Sequence, residues 1–282
     1  MTTPITAPAA RSHAPTAPAR GRFIWHDLIV PDVEAATHFY QAVAGWRVTP
    51  APMSDGQPPY TMWKNGAVPV GGVMARSVEV TAPAASAYWL AYIATPDLEA
   101  TYSEALALGA RAIVPPRDVA LVPPAGASTV GRFAVLADPQ GVTFAAYEPA
   151  DPRPQPGGAP TAGTFSWHEL ETTDRRAAFA FYAQLFGWAP METVDMGPNG
   201  VYQVFGQGGT AYGGIFDRER DTTAPHWRVY VSVADLTRAL GAVRAGGGQV
   251  LAGPMAVPDD DCVAHCADPQ GARFALHASG PC

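Results

Sequence analysis

Residues 23–30 form an aromatic and branched apolar run broken only by the adjacent polar pair His26-Asp27. This predicts a β-strand with Ile24, His26, Leu28 and Val30 on one face and Phe23, Trp25, Asp27 and Ile29 on the other. The period then changes. Beyond Pro31-Asp32, the apolar residues Ala36, Phe39, Tyr40 and Val43 recur at helical spacing, so a helix is predicted with Asp32 as its cap and Gly45 as its stop. Shorter strand-like runs follow around 46–50, 59–64 and 67–75. The plan then starts again. Residues 88–93 read as a strand, Asp97 caps a helix carrying Leu98, Tyr102, Ala105 and Leu106, and Gly109 ends it. Strands are predicted near 111–115, 130–136 and 142–147, the last two joined by the turn Asp138-Pro139-Gln140-Gly141.

The whole of this pattern recurs later in the chain. Phe23-Ile24-Trp25-His26-Asp27-Leu28 returns as Phe165-Ser166-Trp167-His168-Glu169-Leu170, an offset of 142 residues. Asp32, Phe39, Tyr40, Gly45 and Trp46 return as Asp174, Phe181, Tyr182, Gly187 and Trp188 at the same offset. Gly71-Gly72 returns as Gly213-Gly214, and a second Asp-Pro-Gln-Gly turn stands at 268–271. A repeat of this length means duplicated folding units. The expected class is α+β, with four β-α-β-β-β units grouped as two domains, 21–148 and 164–279. A Pro/Gly-rich linker at 149–163 joins them, and a disordered tail precedes them at 1–20.

Composition narrows the function. A net charge of -7 argues against nucleic acid or an anionic membrane surface as a partner. No apolar run approaches the ~18 residues of a membrane span, and the N-terminus lacks a signal-peptide core. A cytoplasmic protein is therefore expected. Three cysteines, Cys262, Cys266 and Cys282, do not suggest a disulfide framework, and Cys262-x-x-His265-Cys266 reads as small buried thiols rather than a metal site. Lys64, the only lysine, falls in a hairpin turn, as does the glycine-rich stretch 206–211.

The Trp-His-[Asp/Glu]-Leu strand, the Phe-Tyr…Gly-Trp helix exit and the paired Asp-Pro-Gln-Gly turns resemble the vicinal oxygen chelate superfamily. That superfamily includes glyoxalase I, extradiol dioxygenases and fosfomycin- and bleomycin-resistance proteins, and the nearest resemblance is to tandem glyoxalase-like proteins of actinobacterial type. The resemblance implies that two β-α-β-β-β units pair into one curled mixed sheet around a cup, with helices outside and the ligand inside. It also implies metal-ligand points on particular strands. His26 and His168 match the first-strand points, but the others fall on Ala91, Val229, Ala145 and Ala275. One imidazole per cup is too few ligands for a divalent ion, so no metal or other cofactor is expected. If one were bound, His168, His265 and His277 would be the set.

What remains is a pair of imidazoles expected to line the cups as acid/base groups, His26 and His168. Their alternative is a core histidine with a hydrogen-bond partner. Asp27 and Glu169 are expected on the opposite face, toward the helices, and Tyr92 and Tyr230 away from the cup. Tyr60, Trp63, Tyr147, Tyr202, Phe205 and His277 are the candidate ligand contacts. The expected function is recognition of an apolar or aromatic metabolite by a monomer, with metal-independent isomerase, cyclase or lyase chemistry in secondary metabolism. Sequestration of a metabolite or antibiotic is the first alternative. A metal-dependent lyase or dioxygenase is the second.

Overall fold

The computed structural model describes residues 20–51, 60–76, 87–121, 128–151, 160–218 and 224–282. The expected tail (but for Arg20) and residues 152–159 of the expected linker lie outside them. The first unit is β1 (Phe23–Val30), α1 (Val33–Ala44), β2 (Arg47–Ala51), β3 (Tyr60–Asn65) and β4 (Val68–Ala75). The second is β5 (Tyr88–Ala94), α2 (Leu98–Ala107), β6 (Arg111–Leu121), β7 (Ser128–Ala137) and β8 (Thr143–Pro149). The third is β9 (Phe165–Thr172), α3 (Arg175–Phe186), β10 (Ala189–Asp195), β11 (Val201–Gln207) and β12 (Thr210–Asp217). The fourth is β13 (His226–Ser232), α4 (Leu236–Ala245), β14 (Gln249–Val257), β15 (Asp261–Ala267) and β16 (Arg273–Ala278).

Units pair within each half. One eight-stranded sheet has the order β2-β3-β4-β1-β5-β8-β7-β6, the other β10-β11-β12-β9-β13-β16-β15-β14. In each the two leading strands meet antiparallel at the centre, β1 on β5 and β9 on β13. The four helices start where an aspartate caps them: Asp32, Asp97, Asp174 and Asp235 each accept a hydrogen bond from the backbone N–H three residues on. α1 and α3 stop at Gly45 and Gly187, both left-handed.

The helical cores are built on a different pairing from the sheets. One core joins Leu28, Phe39, Tyr40, Trp46, Trp63 and Trp89 of the first half to Val229, Leu240, Val243, Phe274 and Leu276 of the second. The other joins Leu98, Leu136 and Phe144 to Phe181, Tyr182, Phe186, Trp188, Phe205 and Trp227. Unit one thus shares its core with unit four, and unit two with unit three. Phe23 of the first half stacks on His168 of the second, and Phe165 of the second on His26 of the first.

Polar bonds follow the same crossed pattern. Trp89 donates to the Tyr40 hydroxyl (3.2 Å), which donates to Asp268 across the halves (3.3 Å). Trp227, Tyr182 and Asp138 form the matching chain, at 3.3 and 3.0 Å. Trp46 and Trp188 donate to the carbonyls of Gly163 and Gly21 in the opposite half. Buried donors need such partners. Removing one hydroxyl with Tyr182→Phe is expected to cost about 1–2 kcal/mol, because Asp138 and Trp227 both lose a partner. Urea denaturation would measure it, and an unchanged midpoint would show the chain to be without weight.

One expectation about cysteine is corrected here. Cys262 is joined to Cys282 in a disulfide that ties the C-terminal residues to β15, and only Cys266 is a free, buried thiol. An odd count concealed the pair, since the partner sits at the last residue of the chain.

Candidate functional site

The face of each sheet turned away from the helices curls around a cup. In the first half, Ile29, Leu90, Tyr92, Val114, Val135 and Ala145 form one cluster there, with Trp25, Met74, Tyr88, Ile113, Phe133 and Tyr147 half-buried against it. At its centre is Asp27, only 4% exposed. Its Oδ1 accepts from the Tyr60 hydroxyl (2.6 Å) and from Trp25 Nε1 (3.0 Å), and its Oδ2 from the Tyr92 hydroxyl (2.8 Å). Trp25 Nε1 also lies 2.7 Å from the Tyr60 oxygen. Burial raises the Asp27 pKa, opposed by the donors Tyr60, Tyr92 and Trp25. Burial, and then Asp27 itself, pushes the Tyr60 and Tyr92 phenols well above their ordinary range, so both stay protonated donors.

The repeated glycine pair makes this possible. A Cβ at Gly72 would overlap the Tyr60 ring, and one at Gly71 would overlap the His26 carbonyl. Gly214 and Gly213 leave the same space for Tyr202 and the His168 carbonyl.

The second cup repeats the template with more charge. Trp167 Nε1 donates to the Tyr202 hydroxyl at 2.7 Å, and Tyr230 lies in a cluster with Val263 and Ala275. Glu169 replaces Asp27. Arg228 ion-pairs with it and, at 3.0 Å, with Glu171. His265 Nε2 is 2.9 Å from the Tyr230 hydroxyl and 3.8 Å from Glu169. Burial, and then the neighbouring Arg228, lowers the His265 pKa to about 3.

The histidines expected in the cups stand elsewhere. His26 and His168 are on the opposite face, toward the helices, where the two sheets meet. They are 4% and 7% exposed, and their Nε2 atoms lie 2.7 Å apart. His168 Nδ1 is 3.2 Å from the Tyr212 carbonyl, so it carries a proton, and Nε2 of His168 accepts the bond donated by His26 Nε2–H. Burial, and for His26 also His168, lowers both pKa values: His26 goes well below 6.5 and His168 to about 3. The assignment of faces is therefore reversed: Asp27, Glu169, Tyr92 and Tyr230 line the cups. A strand pattern separates two faces without labelling them. The more aliphatic face, Leu28 and Val30, belongs to the helical core. A bulge between Phe23 and Trp25 moves Phe23 onto that same face.

Of the expected ligand contacts, Tyr60, Tyr147 and Tyr202 are at the cups. Trp63 and Phe205 are fully buried in the helical cores, Trp63 against Tyr40 and Trp46 and Phe205 on Trp188. His277 bonds Asp261 (2.7 Å) and Ser166 (3.0 Å). The conditional metal set is not assembled: His168 lies on the far face from His265, and among the described residues no three His, Cys, Asp or Glu side chains could hold an ion. In the first cup one carboxylate is saturated by three donors. In the second a guanidinium already lies between the two carboxylates. Neither donor set fits a divalent cation. Sequence reasoning missed Asp27, Trp25, Tyr92 and Arg228. A carboxylate repeated as Asp27 and Glu169 on a buried strand was the available signal, since it must find donors.

This architecture defines the glyoxalase-like class, and comparison agrees. Residues 24–147 match the model of the glyoxalase-like domain, and residues 164–276 match that of the glyoxalase/bleomycin resistance protein/dioxygenase superfamily. The chain belongs to this superfamily, with one such domain in each half. It is 32% identical over 279 residues to the anthracycline biosynthesis protein DauV of Streptomyces sp. strain C5, covering 93% of each chain. DnrV of Streptomyces peucetius, also an anthracycline biosynthesis protein, is 31% identical with the same coverage. Among solved structures, homoprotocatechuate 2,3-dioxygenase from Brevibacterium fuscum, in complex with 3,4-dihydroxyphenylacetate, shares the fold at a TM-score of 0.62 and 16% identity, over 93% of this chain and 82% of that one. The Mn(II)-bound glyoxalase from Novosphingobium aromaticivorans does so at 0.60 and 14%, over 92% and 82%.

Proposed function

We propose that the first cup binds a small, planar aromatic metabolite of secondary metabolism and runs metal-independent proton-transfer chemistry on it, of the isomerase, cyclase or lyase type. The observation that carries this reading is the set of half-buried aromatic side chains, Trp25, Tyr60, Tyr88, Phe133 and Tyr147, around one buried carboxylate. The relatives named for anthracycline biosynthesis support the substrate class. Proton handling goes through Asp27, not His26 or His168, because the histidines are closed off between the halves. A ligand hydroxyl or acidic C–H meets Tyr60 or Tyr92, and the proton passes along the phenol to Asp27. Burial raises the Asp27 pKa and so makes the acquired proton easier to hold. The cores that each half completes for the other support a monomer as the working unit.

The test starts from a thermal-shift screen of aromatic polyketides, then compares wild type with Asp27→Asn. Binding is expected to survive and turnover to fall by about 10²-fold or more. Turnover that persists in Asp27→Asn would move the chemistry away from this group. If no bound compound is converted at all, the sequestration alternative takes its place. Elemental analysis of the active protein is expected to find no stoichiometric transition metal.

A further inference from the structure

One covalent bond of this chain lies apart from both cups. Cys262 on β15 is joined to Cys282, 20 positions further along. Cys262, Leu236 and Ala278 belong to the helical core that units one and four share, so the disulfide stands on the sheet face opposite the second cup. Beside it is a cavity of about 260 Å3, lined by the start of α4 (residues 234–237), by Pro254 and by residues 278–282 together with Cys262. Asp235 is the one charged side chain lining it, and that carboxylate is already engaged as the cap of α4, accepting from Arg238 N–H.

Two observations distinguish this bond from a permanent fastening. The first is access. Cys262 is 2% exposed, whereas Cys282 is exposed. A thiolate attacks a disulfide sulfur in line with the S–S bond, so one arriving from solvent reaches Cys282 Sγ and expels Cys262. The second is that the native strands do not need the bond. Cys262 faces Ala278 within a β15–β16 ladder that continues to Ala267 opposite Arg273. Without the disulfide that ladder keeps its pairs, and residues 279–282 lose their covalent anchor, keeping the bond from Gly280 N–H to Asp261 Oδ1 at 3.2 Å. The free thiol, Cys266, does not compete, since burial pushes its pKa to about 12. We propose that Cys262–Cys282 is a reversible thiol-exchange site, at which a small-molecule thiol attaches to Cys282 and opens the clasp that residues 279–282 form beside the start of α4.

The exchange balances in two steps. A small thiolate bonds to Cys282 Sγ as the Cys262–Cys282 bond breaks, and the electron pair leaves on Cys262 Sγ, which takes a proton from water. A second small thiolate then attacks the small-molecule sulfur of the mixed disulfide and releases Cys282 as a thiol. Two small thiols are thereby oxidised to one disulfide, and the protein disulfide is reduced by two electrons to two thiols. An excess of the oxidised small molecule runs the sequence backwards. Opening removes the cover from Leu236 and Ala278 at the rim of the crossed core, so the exchange acts on the joint between the halves. The proposal stands whether or not either cup binds anything.

Glutathione is a suitable probe. The full chain would be equilibrated without denaturant in mixtures of its reduced and oxidised forms, quenched with acid, then unfolded and alkylated. As the reduced form increases, alkylation is expected to spread from Cys266 alone to all three cysteines, and to return to Cys266 alone when the oxidised form is restored. In Cys262→Ser, mass mapping should find glutathione on Cys282. Hydrogen exchange of the reduced chain should lose protection at the Gly280 and Arg238 amides and keep it through β15 and β16. Melting should stay cooperative, with Tm lower by about 10 °C, the loss expected from opening one loop of this size in the unfolded chain. Cys282→Ser should reproduce the exchange and melting results without any thiol. A disulfide that yields to glutathione only in urea, a reduced chain that loses its cooperative transition, or Cys282 left unmodified in Cys262→Ser would overturn the proposal.

Discussion

Acidification from about pH 7 to about pH 4 is expected to weaken the fold by several kcal/mol, with the His26–His168 pair as the largest source. Both imidazoles are neutral in the folded chain, their pKa values lowered from 6.5, that of His168 to about 3. A group with a depressed folded pKa of this kind stabilises fully above its unfolded pKa. As pH falls from 6.5 toward 3, the unfolded chain binds the proton and the folded chain does not, so the contribution is lost in that window. At 1.36 kcal/mol per pH unit, His168 alone accounts for roughly 3 kcal/mol by pH 4. His226 and His265, lowered to about 4 and about 3, add to the loss. Asp27, Asp138 and Asp268 oppose it, since burial raises their pKa values. The measurement is therefore comparative: urea midpoints across this range for wild type and for the double variant His26→Leu/His168→Leu. A markedly flatter profile in the variant is expected. Parallel profiles would show that the pair does not carry the acid sensitivity.

The second large effect concerns the halves. Expressed alone, residues 20–151 are expected not to yield a folded monomer. Phe39, Tyr40, Val43 and Trp89 would lose the Leu240, Val243, Phe274 and Leu276 side of their core, and Leu98, Leu136 and Phe144 would lose Phe181, Tyr182 and Phe186. At about 25 cal/mol per Å2 of apolar surface, exposing either face costs more than the few kcal/mol by which a domain is stable. Sedimentation of the isolated half should show self-association or aggregation, and co-expression with residues 160–282 should restore a compact pair. A cooperative, monomeric thermal transition in the isolated half would contradict the crossed cores.

Much of this fold was legible from period and punctuation. The strands, the aspartate caps and the glycine stops appear where the sequence pattern places them, because each rests on local sterics and hydrogen bonds. The site was less legible. The most visible repeated residues, Tyr40/Tyr182, Trp46/Trp188, His26/His168 and the Asp-Pro-Gln-Gly turns, bind the halves to each other. Equivalent points of a pseudo-twofold contact must match each other, so repetition marks the joint more strongly than the cup. The cups are where the copies differ, Asp27 against Glu169 and Leu90 against Arg228. Long-range chemistry of that sort leaves no periodic trace. Tyr60 and Tyr92 reach Asp27 across 33 and 65 residues of chain.

The crossed ownership of the cores constrains how such a chain can change over generations. Leu240 packs beneath a helix of the other half, as Phe144 does beneath α3. Any drift in one buried layer must be answered by the opposite copy, so the duplicated scaffold is bound to evolve as one body. The floors of the two cups lie outside that bargain. Each is built from side chains of its own half, so residues there can change without an answering change in the other copy.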